Sequence, residues 1–251
     1  MSFIYETHSH TCQASACGKV RGKDYIDYMQ REGYAGMIIT DHFFNGNCCV
    51  PRCLPWKEKI EMFMSGYEDA RKAAEGTDFN VMFGIEYNFD GDEYLIYGVD
   101  KKWLLDNEDI MEKDRYEVHA LVKEAGAIMF QAHPYRERDY IKTINLTPGV
   151  ADGIEICNAA NDDNMNALAY CYAKELGVPV SAGSDIHFFY KGPKAGMMFE
   201  EKITDIYDYV SKIMSGQGIP VVLSDGKATP VNKIDGLMIP KHGPNLQCIR
   251  K

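Results

Sequence analysis

The sequence predicts an α/β protein whose strands and helices form a closed (β/α) barrel. Three observations support this prediction. The chain has 251 residues, about the size of one barrel domain. Hydrophobic residues make up 45% of it and charged residues 25%, as in ordinary globular proteins. Short strand-like runs alternate with longer amphipathic stretches about seven times, which favours parallel strands joined by right-handed crossovers.

The predicted strands are short runs rich in β-branched and aromatic residues. In chain order they are Phe3 to Glu6, Gly36 to Thr40, Val81 to Ile85, Tyr94 to Val99, Ala127 to Gln131, Gly153 to Cys157, Val178 to Ser181 and Pro220 to Leu223. Between them, apolar residues recur at the spacing of one helix face. The helical patterns are Asp24 to Glu32, the stretch around Ile60, Phe63, Met64 and Tyr67, Met111 to Glu124, Asn164 to Leu176, and Ile203 to Met214.

The remaining segments are predicted to be loops or irregular structure. Asn45 to Trp56 contains two prolines and three cysteines and follows a strand, so we expect a long loop over the active-site face. The segment from about 217 to 251, and above all the tail from Ser224, carries Gly and Pro at intervals and is predicted to be irregular. Because no linker or internal repeat divides the chain, residues 1–251 are predicted to form a single domain.

Composition also limits the classes of partner. The chain has 27 Lys+Arg and 37 Asp+Glu, a formal charge of −10, which argues against duplex nucleic acid as a partner. No export signal and no uncharged apolar run long enough to span a bilayer is visible, so we expect a cytoplasmic protein without a membrane partner. The eight cysteines are then expected to be thiols.

Five of the seven histidines stand just beyond the carboxyl end of a predicted strand: His8, His10, His42, His133 and His187. Glu86 and Asp185 occupy the same kind of position. Because the carboxyl ends of parallel strands share one rim of a barrel, these side chains are expected to converge.

Imidazoles mixed with carboxylates are a ligand set for Zn²⁺, Mn²⁺ or Fe²⁺. The spacing His8-x-His10 lets two side chains on one side of an extended segment hold the same ion, and Asp185-x-His187 repeats this spacing. The candidate ligands exceed the number that one tetrahedral ion needs, and Glu86 could bridge two ions. The sequence therefore predicts at least two metal ions.

Five motifs together resemble those of the PHP (polymerase and histidinol phosphatase) family, in the family's order. They are His8-Ser9-His10-Thr11, Thr40-Asp41-His42, Gly84-Ile85-Glu86, Ala132-His133-Pro134 and Gly183-Ser184-Asp185-Ile186-His187. The resemblance covers about Tyr5 to His187. It implies a distorted (β/α)7 barrel in which two or three divalent ions (Zn, Mn or Fe) hydrolyse phosphoesters.

The resemblance also implies how the ligands are shared. One ion would take His8, His10, Glu86 and Asp185. A second would share Glu86 and take His133. A third would take His42 and His187 with a ligand from the loop after Thr11, where Cys17 or Gln13 could replace the Asp or His that is usual in the family. The strand after Glu86 begins Glu93-Tyr94, where many members have a further His.

Other residues are candidates for binding the substrate and for proton transfer. Arg136 could form paired hydrogen bonds to a phosphate, although a surface ion pair is an equal alternative. Asn158 could line the pocket or form a turn. Asp185 or a rim histidine such as His187 could protonate the leaving alcohol.

The candidates that remain are placed outside the site. Cys48, Cys49 and Cys53 lack a zinc-binding spacing and are expected to be reduced cysteines of a cap loop. His119 falls in a helical pattern and His242 in the tail.

Together these observations predict a metal-dependent hydrolase of small phosphorylated substrates. Two alternatives remain open: an amidohydrolase-type hydrolase, since that superfamily also opens with His-x-His, and a metal-binding regulatory module without turnover.

Overall fold

The computed structural model describes residues 2–231 and 245–249. In this part of the chain six α-helices alternate irregularly with twelve strands. The strands are β1 Phe3–Glu6, β2 Gly36–Ile39, β3 Asn80–Phe89, β4 Asp92–Tyr97, β5 Ile128–Gln131, β6 Thr143–Leu146, β7 Gly153–Asn158, β8 Val180–Gly183, β9 Lys194–Phe199, β10 Ile219–Ser224, β11 Lys227–Pro230 and β12 Asn245–Cys248. The helices are α1 Tyr25–Arg31, α2 Trp56–Ala74, α3 Lys101–Asp106, α4 Arg115–Glu124, α5 Asp163–Leu176 and α6 Ile206–Met214.

Ten strands form one mixed sheet in the order β11-β10-β9-β1-β2-β3-β4-β5-β7-β8, and β6 pairs with β12 in a separate two-stranded sheet. The pairs β1–β2, β2–β3, β5–β7 and β7–β8 are parallel. The antiparallel pairs are β3–β4, β4–β5, β1–β9, β9–β10 and β10–β11. The mixed α/β class is confirmed, whereas an alternation of seven parallel βα units is not what the chain forms.

The main correction concerns β4, which was predicted as a parallel strand. It forms a tight hairpin with β3, in which Phe89 pairs with Asp92 across the turn Asp90-Gly91. Both turn residues have positive φ, 52° and 101°, as the turns that suit the twist of a hairpin require. The amino end of β4, and not its carboxyl end, therefore lies beside the carboxyl end of β5.

The C-terminal region was predicted to be irregular, but its described residues include three β-strands, β10, β11 and β12. β10 and β11 form an antiparallel hairpin that pairs with β9, a strand the sequence pattern did not reveal. Residues 245–248 form β12. His242, which was left out of the site, lies outside the described residues.

The sheet curls back on itself beside the carboxyl ends of its parallel strands. The Ile186 amide donates to the His8 carbonyl at 3.2 Å, and the His10 amide donates to the Ile186 carbonyl at 2.9 Å. These bonds join the segment after β8 to the segment after β1. Residues that follow β1, β2, β5 and β8 consequently surround one space.

The curled sheet is filled and covered by apolar side chains. Fully buried aromatic rings, among them Tyr5, Tyr97 and Phe130, pack under the site. Helix α4 begins at a capping box in which Asp114 and Glu117 bond each other's backbone amides. Asn45 to Trp56 forms a loop as predicted, up to the start of α2. No helix within residues 2–231 and 245–249 has both the length and the apolar character to cross a bilayer.

Candidate metal centre

Five imidazoles and three carboxylates converge where the sheet curls. His8 and His10 follow β1, His42 follows β2, His133 follows β5, and Asp185 and His187 follow β8. Glu86 comes from within β3, beside His42. Groups of these ligand atoms lie within 4.8 Å of one another: His8, His10 and Asp185; His8, Glu86 and His133; His10, His42 and His187; and His42, Glu86 and Glu93. The residues that the sequence placed on one rim are therefore brought together.

The His8 ring is fixed from behind by a second carboxylate. Its Nδ1 lies 2.9 Å from Glu155 Oε1, so Nε2 is turned toward the centre. There Nε2 lies 3.1 Å from Glu86 Oε1 and 3.5 Å from Asp185 Oδ1. Close approach is possible because Gly183 has no side chain: a Cβ there would lie 2.5 Å from His8 Cβ. Glu155 was not predicted, and it has the role of a carboxylate that orients a ligating histidine.

The His10 ring is oriented by a hydroxyl. Ser15 Oγ donates to Asp41 at 2.6 Å, so it is free to accept from His10 Nδ1, which lies 3.1 Å away. His10 Nε2 then faces Asp185 Oδ1 at 3.1 Å and Glu86 Oε2 at 3.4 Å. The ring also lies against those of His42 and His187, with centroids 4.3 and 4.2 Å apart.

Glu86 and Glu93 occupy the other side of the centre. Glu86 Oε2 lies 2.7 Å from His42 Nδ1, and Oε1 lies 3.1 Å from His133 Nε2. Glu93 reaches the same two rings, at 3.6 Å each. Glu93 was not predicted as a ligand, because a parallel β4 would have its start at the opposite end of the barrel. The Asp-Gly turn was the signal for the hairpin that brings it here.

Several buried atoms of the centre have no hydrogen-bond partner: His8 Nε2, His10 Nε2, His42 Nδ1 and Glu86 Oε2. They approach oppositely charged or polar neighbours, but not in directions that form hydrogen bonds. Leaving a buried polar atom unpartnered costs about 1–3 kcal/mol, so four in one place need an explanation. Divalent ions among these atoms would give each one a partner, and imidazole nitrogens with carboxylate oxygens are suitable donors. The donor set therefore fits the predicted metal ions.

The ionisation of these groups also suits cation binding. Burial alone would raise the pKa of Glu86 and Asp185, but His42 and His8 around Glu86, and Arg136 and His8 around Asp185, hold both pKa values well below the usual range. Burial and the neighbouring His42 and His187 hold the pKa of His10 well below its usual value, so its ring is neutral. Ionised carboxylates and a neutral imidazole are the forms that coordinate metals.

His8 differs from His10 although only one residue separates them. Burial would lower its pKa, but the carboxylates of Asp185, Glu155 and Glu86 outweigh that effect and raise the pKa well above its usual value. A proton on His8 is thus the alternative to an ion, and each neutralises the same group of carboxylates.

The structure distinguishes the two candidates in the loop after Thr11. Gln13 is occupied elsewhere: its amide donates to Asp69 at 2.9 Å and accepts from the Gly22 amide at 2.8 Å. The Cys17 thiol contacts His187 and His42. Burial would raise its pKa, but these contacts lower it to about 6. Cys17 lies beside the three-histidine group but outside the set of atoms within 4.8 Å of one another.

Arg136 and Asn158 lie at the edge of the centre and contact Asp185. Arg136 Nη2 lies 2.5 Å from Asp185 Oδ2 and donates to Asn158 Oδ1 at 2.9 Å, and its Nε donates to Asn161 at 2.8 Å. Asn158 also donates to Glu155 at 3.0 Å. Arg136 lines a small cavity beside His133 as well. The guanidinium is thus a buried brace for one oxygen of Asp185, which neither the phosphate-binding nor the surface-pair interpretation anticipated.

Two ligand candidates have strained backbone. His133 has φ 27° and Asp185 has φ 55°, values that cost a non-glycine residue about 1–3 kcal/mol. Such strain persists where surrounding contacts enforce it, and it is concentrated at functional sites. Here it aims both side chains inward from the ends of β5 and β8.

The histidine and the three cysteines that were predicted to lie outside the site are not among the grouped ligand atoms of the described residues. His119 Nε2 lies 3.0 Å from Asp152, in a peripheral pair. Cys48, Cys49 and Cys53 are free, as are the other four cysteines whose side chains are described. Cys48 is opposite Ser15 in an isolated bridge, so the cap loop packs on the loop that carries Cys17.

Comparison with known proteins finds relatives by structure alone. No family model matches the sequence, and no curated protein matches it. Among solved structures, a two-domain protein from Bacteroides vulgatus ATCC 8482 that contains a PHP-like metal-dependent phosphoesterase, assigned as such by prediction, superposes with a TM-score of 0.64 at 15% identity. The match covers 88% of this chain and 64% of that one.

Two further structures widen this comparison. A protein from Bifidobacterium adolescentis ATCC 15703, provisionally described as a metal-dependent phosphoesterase, gives a TM-score of 0.54 at 15% identity, with 86% of this chain and 96% of that one covered. Endonuclease Q, in complex with a 27-mer duplex that has an abasic lesion at the active site, gives a TM-score of 0.58 at 11% identity. This match covers 88% of the present chain and 58% of endonuclease Q. The chain thus spans less than two thirds of the length of the Bacteroides protein and of endonuclease Q.

The endonuclease Q complex contradicts the expectation of a small phosphorylated substrate and no duplex nucleic acid. A protein with this fold accommodates a duplex at its active site. The formal charge of −10 does not exclude such a partner, because it describes the whole chain, whereas binding depends on the local field.

At 11–15% identity these likenesses show the fold. The resemblance to the PHP family is confirmed at that level: the chain has the fold of the PHP-like metal-dependent phosphoesterases.

Proposed function

We propose that this chain is a metal-dependent phosphoesterase. The observation that carries the proposal is the group of buried, unpartnered ring nitrogens and carboxylate oxygens at the carboxyl ends of the strands. Such atoms are costly in a core without ligands. The proposed ligands are His8, His10, His42, Glu86, His133, Asp185 and His187, joined by Glu93 and Cys17. They hold two or three ions of the Zn, Mn or Fe class.

Bound ions would supply a water of lowered pKa as the nucleophile and would neutralise the phosphoryl oxygens. The protein fixes where this happens. Glu86 contacts His8, His42 and His133, so it stands between the ligand groups in the position of a bridging carboxylate. Glu155 and Ser15 hold the rings of His8 and His10 in one orientation, which keeps the donor atoms preorganised.

Arg136 and Asn158 are proposed to act on the substrate side. The side chain of Arg136 keeps 11% of its surface exposed while it holds Asp185. Its fixed positive charge can therefore attract a phosphate that approaches along the rim. Asn158 positions the guanidinium through the hydrogen bond to Nη2.

Of the two residues proposed for proton transfer, His187 is the better donor to the leaving alcohol. Its side chain is 20% exposed, against 2% for Asp185. The Asp185 carbonyl can only accept, so His187 Nδ1 donates to it at 2.8 Å. Nε2 would coordinate the third ion in a three-ion centre, and in a two-ion centre it would carry the proton for the leaving alcohol. Asp185, ionised beside Arg136, is a ligand in this scheme, and the proton reaches the leaving group from the rim.

The experiment is metal analysis combined with a substrate panel. Protein purified without chelator should contain at least two ions per chain and should hydrolyse phosphoesters. The panel should include generic phosphomonoesters and phosphodiesters and a duplex with an abasic site. Glu86→Gln should abolish turnover, whereas His119→Gln, which changes a histidine outside the centre, should not.

Three results would contradict the proposal. Fewer than one bound ion under several metal supplements would remove the centre. Hydrolysis of amides and not of phosphoesters would favour an amidohydrolase. Tight metal binding without turnover of any substrate in the panel would favour a regulatory module.

A further inference from the structure

The centre has two ends whose donor atoms differ in chemistry. We name the thiol end for Cys17, with His10 and His187, and the carboxylate end for Glu86 and Glu93, with His133. His42 lies between the two ends and belongs to a ligand group on each side. Sulfur is present at one end, and carboxylate oxygens dominate the other.

The thiol end is fixed by the backbone around Cys17. The Ala16 amide donates to Asn47 at 2.8 Å on one side, and the Lys19 amide donates to the carbonyl of His187 at 2.7 Å on the other. Gly18 lies so close to Thr11 that a Cβ would be 2.4 Å from its carbonyl oxygen. These contacts hold the thiol against the rings of His42 and His187. The sulfur thus lies beside two members of the three-histidine group, whose third member, His10, has a buried and unpartnered Nε2.

The carboxylate end is fixed by the β3–β4 hairpin. Glu86 pairs with Leu95, and Glu93 pairs with Asn88, so the register sets the separation of the two acids. Glu93 approaches both His42 and His133 at 3.6 Å. Glu86 Oε2 is buried and unpartnered beside His42, and Glu86 Oε1 faces His133. Oxygen atoms from two carboxylates thus face whatever lies at this end.

These donors prefer different ions. Thiolate and imidazole favour a borderline-soft ion such as Zn²⁺, whereas carboxylate oxygens suit a harder ion such as Mn²⁺. We propose that the centre is selective in this sense: the thiol end prefers a thiophilic divalent ion, and the carboxylate end prefers an oxygen-seeking one. This inference rests on the proposed function only in requiring that ions bind at both ends.

The measurable quantity is the ratio of Zn²⁺ to Mn²⁺ affinity at each end. Zn²⁺ binds most protein sites more tightly than Mn²⁺, so both ends can favour zinc in absolute terms. The inference requires that the ratio be larger at the thiol end, by on the order of 10-fold. Titration of Mn²⁺-loaded protein with Zn²⁺, followed by the release of Mn²⁺ in electron paramagnetic resonance, should then show two phases.

Paired variants assign the phases. Cys17→Asp exchanges sulfur for oxygen and should merge the early phase with the late one. Glu93→His exchanges oxygen for nitrogen and should move the late phase toward the early one. Binding of Co²⁺ gives a second readout: a near-ultraviolet thiolate-to-cobalt band should appear in the native chain and in Glu93→His, and should vanish in Cys17→Asp. Cys12→Ser, which changes an exposed cysteine of the same loop, should preserve both phases and the band.

The outcomes separate this inference from the proposed function, because no turnover is measured. A single phase in the native chain, or a cobalt band that survives Cys17→Asp, would overturn it even if phosphoesters are hydrolysed. Two phases with the expected shifts would support it even if no substrate is found. Should Cys17→Asp fail to fold, Cys17→Ser gives the same test of the band.

Discussion

Two buried arginine–aspartate pairs in this protein have nearly the same geometry and different surroundings. Arg115 Nη1 lies 2.6 Å from Asp92 Oδ2, and Arg136 Nη2 lies 2.5 Å from Asp185 Oδ2. In the first pair the other carboxylate oxygen accepts from Asn145 at 2.6 Å. In the second pair the other oxygen faces three histidine rings, those of His8, His10 and His187. In the first pair both carboxylate oxygens accept hydrogen bonds from protein donors. In the second pair one carboxylate oxygen remains as a possible ligand for a cation.

The pKa values of the two acids follow this difference. Burial raises the pKa of Asp92 above its usual value despite Asn145 and Arg115. Burial acts on Asp185 in the same direction, but Arg136, His8 and His10 together hold its pKa well below the usual range. One arginine does not offset the burial of a carboxyl group, whereas an arginine with two imidazoles does. A carboxylate kept ionised in a core is a better guide to a cation site than an ion pair alone.

The largest expected effect comes from removing each carboxylate charge in turn. Asp185→Asn should lower kcat on a phosphoester by about 10³-fold or more, because a ligand for the ions is lost. Asp92→Asn should leave kcat unchanged, because Asp92 bonds Arg115 and Asn145 and none of the proposed ligands. Kinetics and urea unfolding of both variants check this. Similar activity losses in both would erase the distinction between the pairs.

Replacing the arginine of each pair should also affect activity differently, but the difference in kcat/KM should be smaller than for the aspartates. Arg136→Ala should cost about 2–3 kcal/mol of transition-state stabilisation, roughly 30- to 150-fold in kcat/KM, with metal content retained. A rise in KM would indicate that the charge acts in the ground state, and a fall in kcat that it acts during transfer. Arg115→Ala should leave kcat/KM unchanged. An Arg136→Ala enzyme with native kcat/KM and bound metal would return Arg136 to a structural ion pair.

Replacing the asparagine beside each pair should likewise reduce activity for one pair and stability for the other, with smaller effects than replacing the arginines. Asn158→Ala should reduce kcat/KM by about 10-fold, since it loosens both Arg136 and Glu155 behind the ligands. Asn145→Ala should lower the free energy of unfolding by about 1 kcal/mol and spare activity. Steady-state kinetics and thermal unfolding of the two variants test this, and an activity loss confined to Asn145→Ala would contradict it.

The smallest effect is a difference in the sign of two pH dependences. Asp92 has a folded pKa above its usual value of 3.8, so its stabilisation is present below pH 3.8 and is lost as the pH rises through the folded pKa. Asp185 has a lowered pKa, so its stabilisation is present above 3.8 and is lost as the pH falls through the folded pKa.

Urea unfolding in chelator between acid and neutral pH measures both contributions. Asp92→Asn should remove a decline of stability on raising the pH, and Asp185→Asn should remove a decline on lowering it. Each slope should stay below about 1.4 kcal/mol per pH unit, the contribution of one proton. Slopes of the same sign for the two variants would contradict the assignment.

The sequence predicted the rim of the centre well because parallel strands leave little freedom there. A residue just past the carboxyl end of a parallel strand must lie at the shared edge, whatever the loops do. His8, His10, His42, His133, Asp185 and His187 were found in this way. The prediction needed local strand positions and one topological rule.

Features that depend on strand direction or on distant partners were not accessible in the same way. Glu93 was missed because a run such as Tyr94 to Val99 has the same pattern in parallel and antiparallel strands, although Asp90-Gly91 marked the turn. Glu155 had a weaker signal, as a single acid inside the apolar run of β7. Nothing local to Arg136 indicates that its partner is Asp185, 49 residues later.

The line of contact between the segments after β1 and β8 has a mechanical consequence. Thr7 donates to Ala182 across it at 2.8 Å, and the two residues are 175 positions apart in the chain. An ion held jointly by His10 and Asp185 would fasten the same line, as a cross-link that closes a very long loop of the unfolded chain. Long cross-links restrict the denatured ensemble most, and a ligand of the native state adds its binding free energy to stability. The ions proposed for catalysis would then also act as a removable staple, and chelation would open the curled sheet along one defined edge.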